Sequence, residues 1–222
     1  MSKAGKALIL HHMLTKASPK KGPENTLVVF RHGSTNLNNE SDERFRAWAD
    51  VPLSEDGKKE VLESAKKLHD KGIAGIITSD LKRCVETAEI IAKELDIPIL
   101  EESKGLRPWH LGVLTGQPVR PNLPALEAYI KNPDVQVPDG ESFNDFKKRM
   151  VGDVLRVQKK YPRDKILIVT HHRGERLVKA WMDAGKPTDH SKLSHDPFMH
   201  KGVKPGSFIE YEVDPTLLNE KK

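Results

Sequence analysis

The stretch Thr26-Leu27-Val28-Val29-Phe30-Arg31-His32-Gly33 is the most informative part of this 222-residue chain. Its first five residues are β-branched or apolar, which predicts a short strand buried on both faces. A strand that ends in Arg-His-Gly brings a guanidinium, an imidazole and a glycine that admits close backbone approach to one point. The stretch therefore predicts an anion-handling site at the carboxyl end of a buried strand.

The rest of the chain alternates strands with helices. Further strands are predicted at 73–78, 97–100, 165–170 and 208–213. Helices are predicted from Ser54 to Gly72, from Ser79, within 123–131, over 141–161 and over 175–184. A short helix is also predicted around Phe45 to Ala49. This order predicts an α/β fold, a three-layer sandwich whose mostly parallel central sheet carries helices on both faces.

Ligands of such sheets bind beyond the carboxyl ends of the strands. Three segments with chemistry lie at those ends: Arg31-His32, the stretch from Ser79 to Arg83, and His171. A neutral imidazole nitrogen can attack phosphorus in line, and a guanidinium matches the oxygens of a phosphoryl group. The segments together predict a cage for one tetrahedral anion.

The same residues carry a resemblance to a known family. Arg31-His32-Gly33-Ser34-Thr35-Asn36-Leu37-Asn38 resembles the signature of the histidine phosphatase (phosphoglycerate mutase-like) superfamily, in the branch with the Arg-His-Gly signature. The stretches around Arg83, Thr170-His171 and Pro138 to Ser142 resemble later segments of that family, in the same order. The resemblance implies that His32 is the nucleophile, that Arg31, Arg83, His171 and Asn38 bind the phosphoryl group, and that no metal or cofactor is needed.

One position departs from the family pattern. Pro108 stands where family members commonly carry the glutamate that protonates the leaving oxygen, and proline carries no proton. Glu141 and His110 are the candidate replacement donors, with Glu141 placed among the catalytic residues and His110 among the substrate-binding ones. A second explanation is a substrate with a good leaving group, such as an acyl phosphate, phosphohistidine or phosphoanhydride, and a third is a protein with weak or lost activity. His172 replaces a family glycine and is predicted to face the substrate.

Length and composition predict the domain extent, the compartment and the kind of partner. Residues 1–25 are predicted to be an extension before a histidine phosphatase-like domain over 26–222. One cysteine, Cys84, and the lack of a long apolar run predict a cytoplasmic protein without membrane contact. The net charge of +5 suits an anionic substrate. Aromatics are too few for a predicted nucleic-acid surface, and a homodimer stays open.

The histidines of the late loop raise the question of a metal. His190, His195 and His200 lie among prolines and glycines rather than on one helix face, so no metal site is predicted. The loop over 185–206 is instead predicted to cover the pocket. The sequence as a whole predicts a metal-independent phosphatase acting through a phosphohistidine on a small phosphorylated compound. A phosphoglycerate mutase-type phosphotransferase and a catalytically weak phosphate-binding domain are the competing interpretations.

Overall fold

The computed structural model describes residues 26–37, 43–186, 193 and 202–212. Within these ranges the strands are β1 (Thr26–Arg31), β2 (Ile73–Ser79), β3 (Ile99–Ser103), β4 (Lys165–Thr170) and β5 (Phe208–Glu212). The helices are α1 (Glu55–Ala65), α2 (Lys82–Leu95), α3 (Val119–Lys131), α4 (Phe143–Lys160) and α5 (His172–Asp183), with short 3₁₀ segments between some of them.

The described strands form one sheet in the order β3-β2-β4-β1-β5. Strands β1, β2, β3 and β4 run parallel, and β5 pairs antiparallel with β1 at the edge. The predicted mostly parallel sheet is therefore confirmed. The order places β4 between β1 and β2, so that the three strands followed by candidate catalytic residues are neighbours.

Alternate residues of each central strand enter two separate apolar cores. Leu27 and Val29 of β1 pack into the core beneath α4 and α5, whereas Val28 and Phe30 pack into the core beneath α1 and α2. A buried parallel strand shows no polar alternation because both of its faces are covered. The prediction of helices on both faces is confirmed.

Several predicted element boundaries agree with the structure. Ser54 is the N-cap of α1, since its Oγ accepts the Gly57 N–H at 3.0 Å. The segment that follows α1 ends at Gly72, whose φ of 66° is the left-handed conformation that glycine adopts readily. Ser142 caps α4 in the same way as Ser54, and its Oγ accepts the Asp145 N–H.

Other boundaries differ for identifiable reasons. No helix forms around Phe45: Arg44 instead makes an isolated bridge with Pro118, and Ala47 has a φ of 40°. Ser79 does not cap α2, which begins after Leu81, because the Ser79 hydroxyl contacts His171. Strand β3 begins at Ile99 rather than residue 97 and continues through two glutamates. A half-exposed edge strand accepts them, and Glu101 pairs with Arg156 at 2.6 Å.

The remaining helices begin earlier than their apolar patterns indicate. Helix α3 begins at Val119 rather than 123 and contains Pro124. Helix α5 begins at His172, directly after β4, rather than at Glu175. In both helices the first turn is polar or rich in proline, so apolar periodicity does not mark it. The predicted extension over residues 1–25 lies outside the described residues.

Candidate active site

The nucleophile predicted at residue 32 lies where β1 meets β4. The His32 N–H donates to the Thr170 carbonyl at 3.0 Å, so the β1–β4 ladder continues one residue past the strand. The side chain is 2% exposed, and its ring lies 5.2 Å from the ring of His171 in an edge-to-face arrangement. The two imidazoles are thus fixed to adjacent strand ends.

The hydrogen bonds of His32 fix its tautomer. Its Nδ1 lies 2.7 Å from the Gly33 carbonyl oxygen, which can only accept, so Nδ1 carries the proton. The lone pair therefore lies on Nε2, which accepts from Arg83 Nε at 3.3 Å. Burial, followed by the charges of Arg83 and Arg46, lowers the pKa of His32 well below its ordinary value. The imidazole is held neutral, which is the state a nucleophile requires.

Arg83 occupies the centre of the site. Its Nε–H also donates to His171 Nδ1 at 3.2 Å, while Nη1 and Nη2 donate to the carbonyls of Ala49 and Ala47 at 2.8 and 2.9 Å. These carbonyls belong to the turn in which Ala47 has its positive φ. The turn therefore orients a guanidinium that is only 1% exposed and that keeps one further N–H on each of Nη1 and Nη2.

His171 is the second strand-end imidazole. Because an arginine only donates, His171 Nδ1 accepts, and its Nε2 donates to Ser79 Oγ at 2.9 Å. Burial and then the charge of Arg83 lower the pKa of His171 well below 6.5. Cys84 Sγ lies 3.4 Å from the same Nε2, and burial raises the pKa of this thiol to about 12. The thiol is therefore a packing group and not a nucleophile.

A cavity of about 230 Å³ opens beside these residues. Its described lining includes His32, Arg83, His171 and the predicted substrate-binding residue His172. Burial and the charges of nearby arginines lower the pKa of His172 to about 3, so this imidazole too is neutral. Pro108 also lines the cavity, so the position that lacks the usual acid does face the site.

The cavity has two further walls, most of which the sequence did not indicate. One wall carries Arg44, Arg46, Arg173 and Arg176 together with Glu43; the other is formed by α3, with Val119, Leu123, Leu126, Glu127 and Ile130. Arg173 and Arg176 follow the second histidine in sequence, and the sequence predicts either that one of them reaches a second anionic group of the substrate or that both are solvated helix arginines. Residues 43–46 lie in a segment without regular structure, and only the fold brings them to the site.

Three predicted site residues do not line this cavity. The Arg31 guanidinium instead donates from Nη1 to the Val203 carbonyl at 2.6 Å. His110 stacks on Trp48, with ring centroids 4.2 Å apart. Glu141 is bound by Arg149, with Nη2 to Oε1 at 2.6 Å and Nε to Oε2 at 3.1 Å. Asn38 lies outside the described residues.

Glu141 is predicted to be a replacement proton donor, but its contacts lie away from the cavity. Besides Arg149, the carboxylate accepts the His110 N–H at 2.9 Å. The same Arg149 guanidinium donates to the carbonyls of Gly105, Arg107 and Pro108 at 2.9, 3.0 and 3.1 Å. In this arrangement the Glu141 carboxylate holds the segment that contains Pro108, and both of its oxygens contact Arg149 rather than the cavity.

A buried carboxyl group that the sequence did not indicate lies next to Arg31. Glu175 is 1% exposed, and its Oε1 accepts the Val203 N–H at 3.0 Å. Its Oε2 and the Nε of Arg31 are both buried without a hydrogen-bond partner. Burial raises the pKa of Glu175 to about 7. Of the predicted covering loop, residues 202–206 are described, and they lie over Arg31 and Glu175.

The described residues include no group of three His, Cys, Asp or Glu side chains arranged to hold a metal ion. They also include no helix long and apolar enough to cross a bilayer. The histidines at 190, 195 and 200 lie outside the described ranges.

The mostly parallel sheet presents two neutral imidazoles and a buried arginine at adjacent strand ends, an arrangement suited to binding an anion. The model of the histidine phosphatase superfamily (branch 1) matches residues 27–199, and the chain belongs to this family. The predicted family membership is thereby confirmed. The family and its members mark the chain as a phosphatase or mutase-type enzyme.

Curated relatives carry both kinds of name. The chain is 29% identical to the uncharacterized phosphatase PhoE of Bacillus subtilis over 72% of its own length and 79% of the relative. It is 32% identical to phosphoglycerate mutase-like protein 4 of Arabidopsis thaliana over 65% of each chain. A probable phosphoglycerate mutase GpmB of Cronobacter sakazakii is also 32% identical, over 65% of this chain and 68% of the relative.

Solved structures share the fold. YhfR of Bacillus stearothermophilus superimposes with a TM-score of 0.69 at 28% identity, covering 86% of this chain and 92% of that one. A mycobacterial glucosyl-3-phosphoglycerate phosphatase superimposes with a TM-score of 0.65 at 22% identity, covering 84% and 89%.

Proposed function

We propose that the chain is a phosphatase in which His32 Nε2 takes up the phosphoryl group of its substrate. The observation that carries this proposal is the position of that nitrogen. Its lone pair faces Arg83, its ring is buried and neutral, and the opposite ring nitrogen is fixed as a donor to Gly33. A nucleophile already held in one tautomer needs no proton transfer before it attacks, and only the hydrogen bond from Arg83 to Nε2 has to give way to phosphorus.

The proposed reaction has two steps. In the first, Nε2 forms a bond to phosphorus while the bond from phosphorus to the leaving oxygen breaks. Arg83 and His171 stabilise the charge on the equatorial oxygens. In the second, the oxygen of a water molecule bonds to phosphorus while the P–N bond breaks, the electron pair of that bond returns to Nε2, and both water protons leave with the inorganic phosphate.

Turnover of p-nitrophenyl phosphate by wild type and His32→Ala tests the nucleophile. We expect the variant to lose at least about 10³-fold in kcat, because His32 is the group proposed to form the covalent intermediate. His69→Ala is the matched control, since this exposed histidine contacts Glu94 far from the cavity. Equal turnover by wild type and His32→Ala would refute the proposal.

The intermediate itself can be trapped. Rapid acid-free quenching with labelled substrate should give an alkali-stable, acid-labile phosphoryl group on a peptide that contains residue 32. The proposed steps assign charge stabilisation to Arg83 and the histidines, so we also expect EDTA to leave turnover unchanged. Loss of activity in EDTA, restored by a divalent cation, would contradict that assignment.

Mutase-type transfer is the second candidate, and the names of two relatives favour it. It requires the phosphohistidine to survive until a second acceptor hydroxyl is phosphorylated. Single-turnover decay of the labelled enzyme distinguishes the two activities: decay in water alone supports hydrolysis, whereas decay that needs a phosphoglycerate acceptor supports transfer.

A further inference from the structure

The cavity beside His32 has more positive charge than one phosphoryl group requires. Among the described residues that line it, five are arginines and two are glutamates. Arg83 is committed to the phosphoryl group at His32. The remaining arginines, at positions 44, 46, 173 and 176, lie on the wall formed by the 43–47 segment and the first turns of α5.

These arginines are close enough to affect one another. Burial, and then Arg176 and Arg46, lower the pKa of Arg173 to about 10. The Arg173 guanidinium also lies 5.4 Å from the centre of the Phe45 ring. Glu43 lies on the same wall and raises the pKa of Arg173, so it offsets part of this positive charge, and the remaining field attracts an anion. This wall is therefore suited to a second anionic group on the substrate.

The position where the family carries a proton donor for the leaving oxygen is occupied by Pro108. Pro108 lines the cavity where a proton donor is expected, and the Glu141 carboxylate is occupied by Arg149. A missing proton donor costs about 10²- to 10⁴-fold in rate for leaving groups that depart as strong bases. A phosphate ester whose second ionisation has a pKa near 6 leaves as a stable anion and needs no proton.

We propose that the substrate is an organic diphosphate, whose terminal phosphoryl group passes to His32 while the inner phosphate leaves onto the wall of Arg46, Arg173 and Arg176. This inference rests on the proposed function. The bond that breaks joins the terminal phosphorus to the bridging oxygen, which keeps the electron pair. The bond that forms joins phosphorus to His32 Nε2, and the released monoester retains both of its negative charges without a proton transfer.

The opposite wall indicates what the inner phosphate carries. Helix α3 contributes Val119, Leu123, Leu126 and Ile130 to the cavity, and Leu123 is 40% exposed. An apolar surface beside a cationic one fits a molecule with a charged head and an apolar substituent. The structure therefore favours an organic diphosphate with an apolar group over inorganic pyrophosphate.

A matched pair of probes tests the leaving group in the wild-type protein. We expect kcat/KM for octyl diphosphate to exceed that for octyl monophosphate by at least about 10²-fold, the lower bound of the effect of a missing proton donor. The reaction should release one phosphate per molecule and stop at octyl monophosphate. Equal rates for the two compounds would overturn the inference, because they would show that the site has a proton donor.

The p-nitrophenyl phosphate assay separates this failure from failure of the proposed function. If p-nitrophenyl phosphate phosphorylates His32 and is hydrolysed while octyl diphosphate is not, the proposed function stands and the inference is wrong. If neither compound reacts, the proposed function fails as well. Inorganic pyrophosphate should react at least tenfold more slowly than octyl diphosphate, and equal rates would overturn the assignment of the α3 wall.

Variants of the cationic wall give a second test. In Arg173→Gln and Arg176→Gln we expect the loss of kcat/KM for octyl diphosphate to exceed the loss for p-nitrophenyl phosphate by at least tenfold. Arg163→Gln is the control, since Arg163 is exposed in the turn before β4, and it should leave both activities unchanged. Equal losses on the two substrates would contradict a separate site for the inner phosphate.

Discussion

His32 and His171 share one N–H of Arg83, so the guanidinium influences the charge of both imidazoles. Burial is the main reason for their low pKa values, and Arg83 is the next. The neutral form of His32 should therefore persist well below pH 6.5, and acid should not remove the nucleophile in that range.

Removing the charge at position 83 tests this explanation. In Arg83→Gln we expect the pKa of His32 to rise toward its ordinary value, while burial still holds it below that value. The measurement is the pH titration of the His32 ring signals by NMR in wild type and variant, with Arg163→Gln as the control. Identical titrations in wild type and Arg83→Gln would contradict the role given to the guanidinium.

The buried carboxyl group of Glu175 should make the free energy of unfolding depend on pH. Its folded pKa of about 7 lies above the ordinary 4.5, so the folded protein retains a proton that the unfolded chain releases between these values. The group therefore lowers the free energy of unfolding as pH rises from 4.5 to 7. Glu175→Gln stays neutral and keeps the acceptor for the Val203 N–H, so its stability relative to wild type should increase by up to about 3 kcal/mol across this window.

Urea unfolding of both proteins at pH 4.5, 6 and 7.5 measures this effect. Comparing the two proteins cancels the opposite contribution of the buried histidines, whose lowered pKa values add stability as pH rises toward 6.5. A stability difference that stays constant with pH would show that folding does not raise the pKa of Glu175.

At the scale of elements, the first turn of α1 is packed directly on the strand-end loop that follows His32. Gly57 lies against the Ser34 carbonyl, and a Cβ at this position would fall well inside contact distance of it. The Ser54 hydroxyl donates to the same carbonyl at 3.2 Å. This contact fixes the loop on which the nucleophile depends.

Gly57→Ala should therefore destabilise the protein by about 1–3 kcal/mol, as overpacking typically does, and lower kcat as well. Gly152→Ala is the matched control, because Gly152 lies exposed within α4 with open space around its Cα. There alanine should stabilise by about 0.5–1 kcal/mol, the usual helix preference. Thermal unfolding of the two variants gives the comparison, and equal shifts in Tm would contradict the packing argument.

Elements are predictable where one local property decides them. The apolar run Ile166 to Val169 marks β4, and Ser54 with Gly72 brackets the helical segment between them. Ser79 is predicted to cap the following helix, but its hydroxyl instead accepts a hydrogen bond from His171, 92 positions away. The strand-end position of Arg31 predicts that it faces the anion, yet its guanidinium turns to Val203, a contact that depends on a distant loop.

At the scale of the whole molecule, the net charge of +5 and the arginine-lined cavity act together on an incoming anion. Their fields add at low salt and are screened within about 10 Å at 0.1 M salt. We expect the dissociation constant for inorganic phosphate to rise by about threefold or more between 20 and 500 mM NaCl. Calorimetric titration measures it, and a constant affinity would mean that only contact hydrogen bonds hold the anion.

The sequence indicated the fold and the central trio of His32, Arg83 and His171, because strand-end motifs in a parallel sheet converge by topology. Of the cavity walls it indicated only Arg173 and Arg176, as groups that could reach a second anion, and residues 101–140 as a region of specificity. The other wall residues come from the turn at residues 43–47 and from α3, whose places follow from packing over distances that local patterns do not encode. Substrate preference, which the walls determine, was therefore the least predictable property.

The buried Cys84 thiol beside His171 can report local opening of the structure through its rate of chemical labelling. Cys84 is the only cysteine of the chain, it is fully buried, and burial raises its pKa to about 12. A thiol-alkylating reagent should therefore label the protein only during openings that part α2 from the ends of β2 and β4. The labelling rate would time those openings, and phosphate should slow it if the anion and the opening compete for the same imidazole cage.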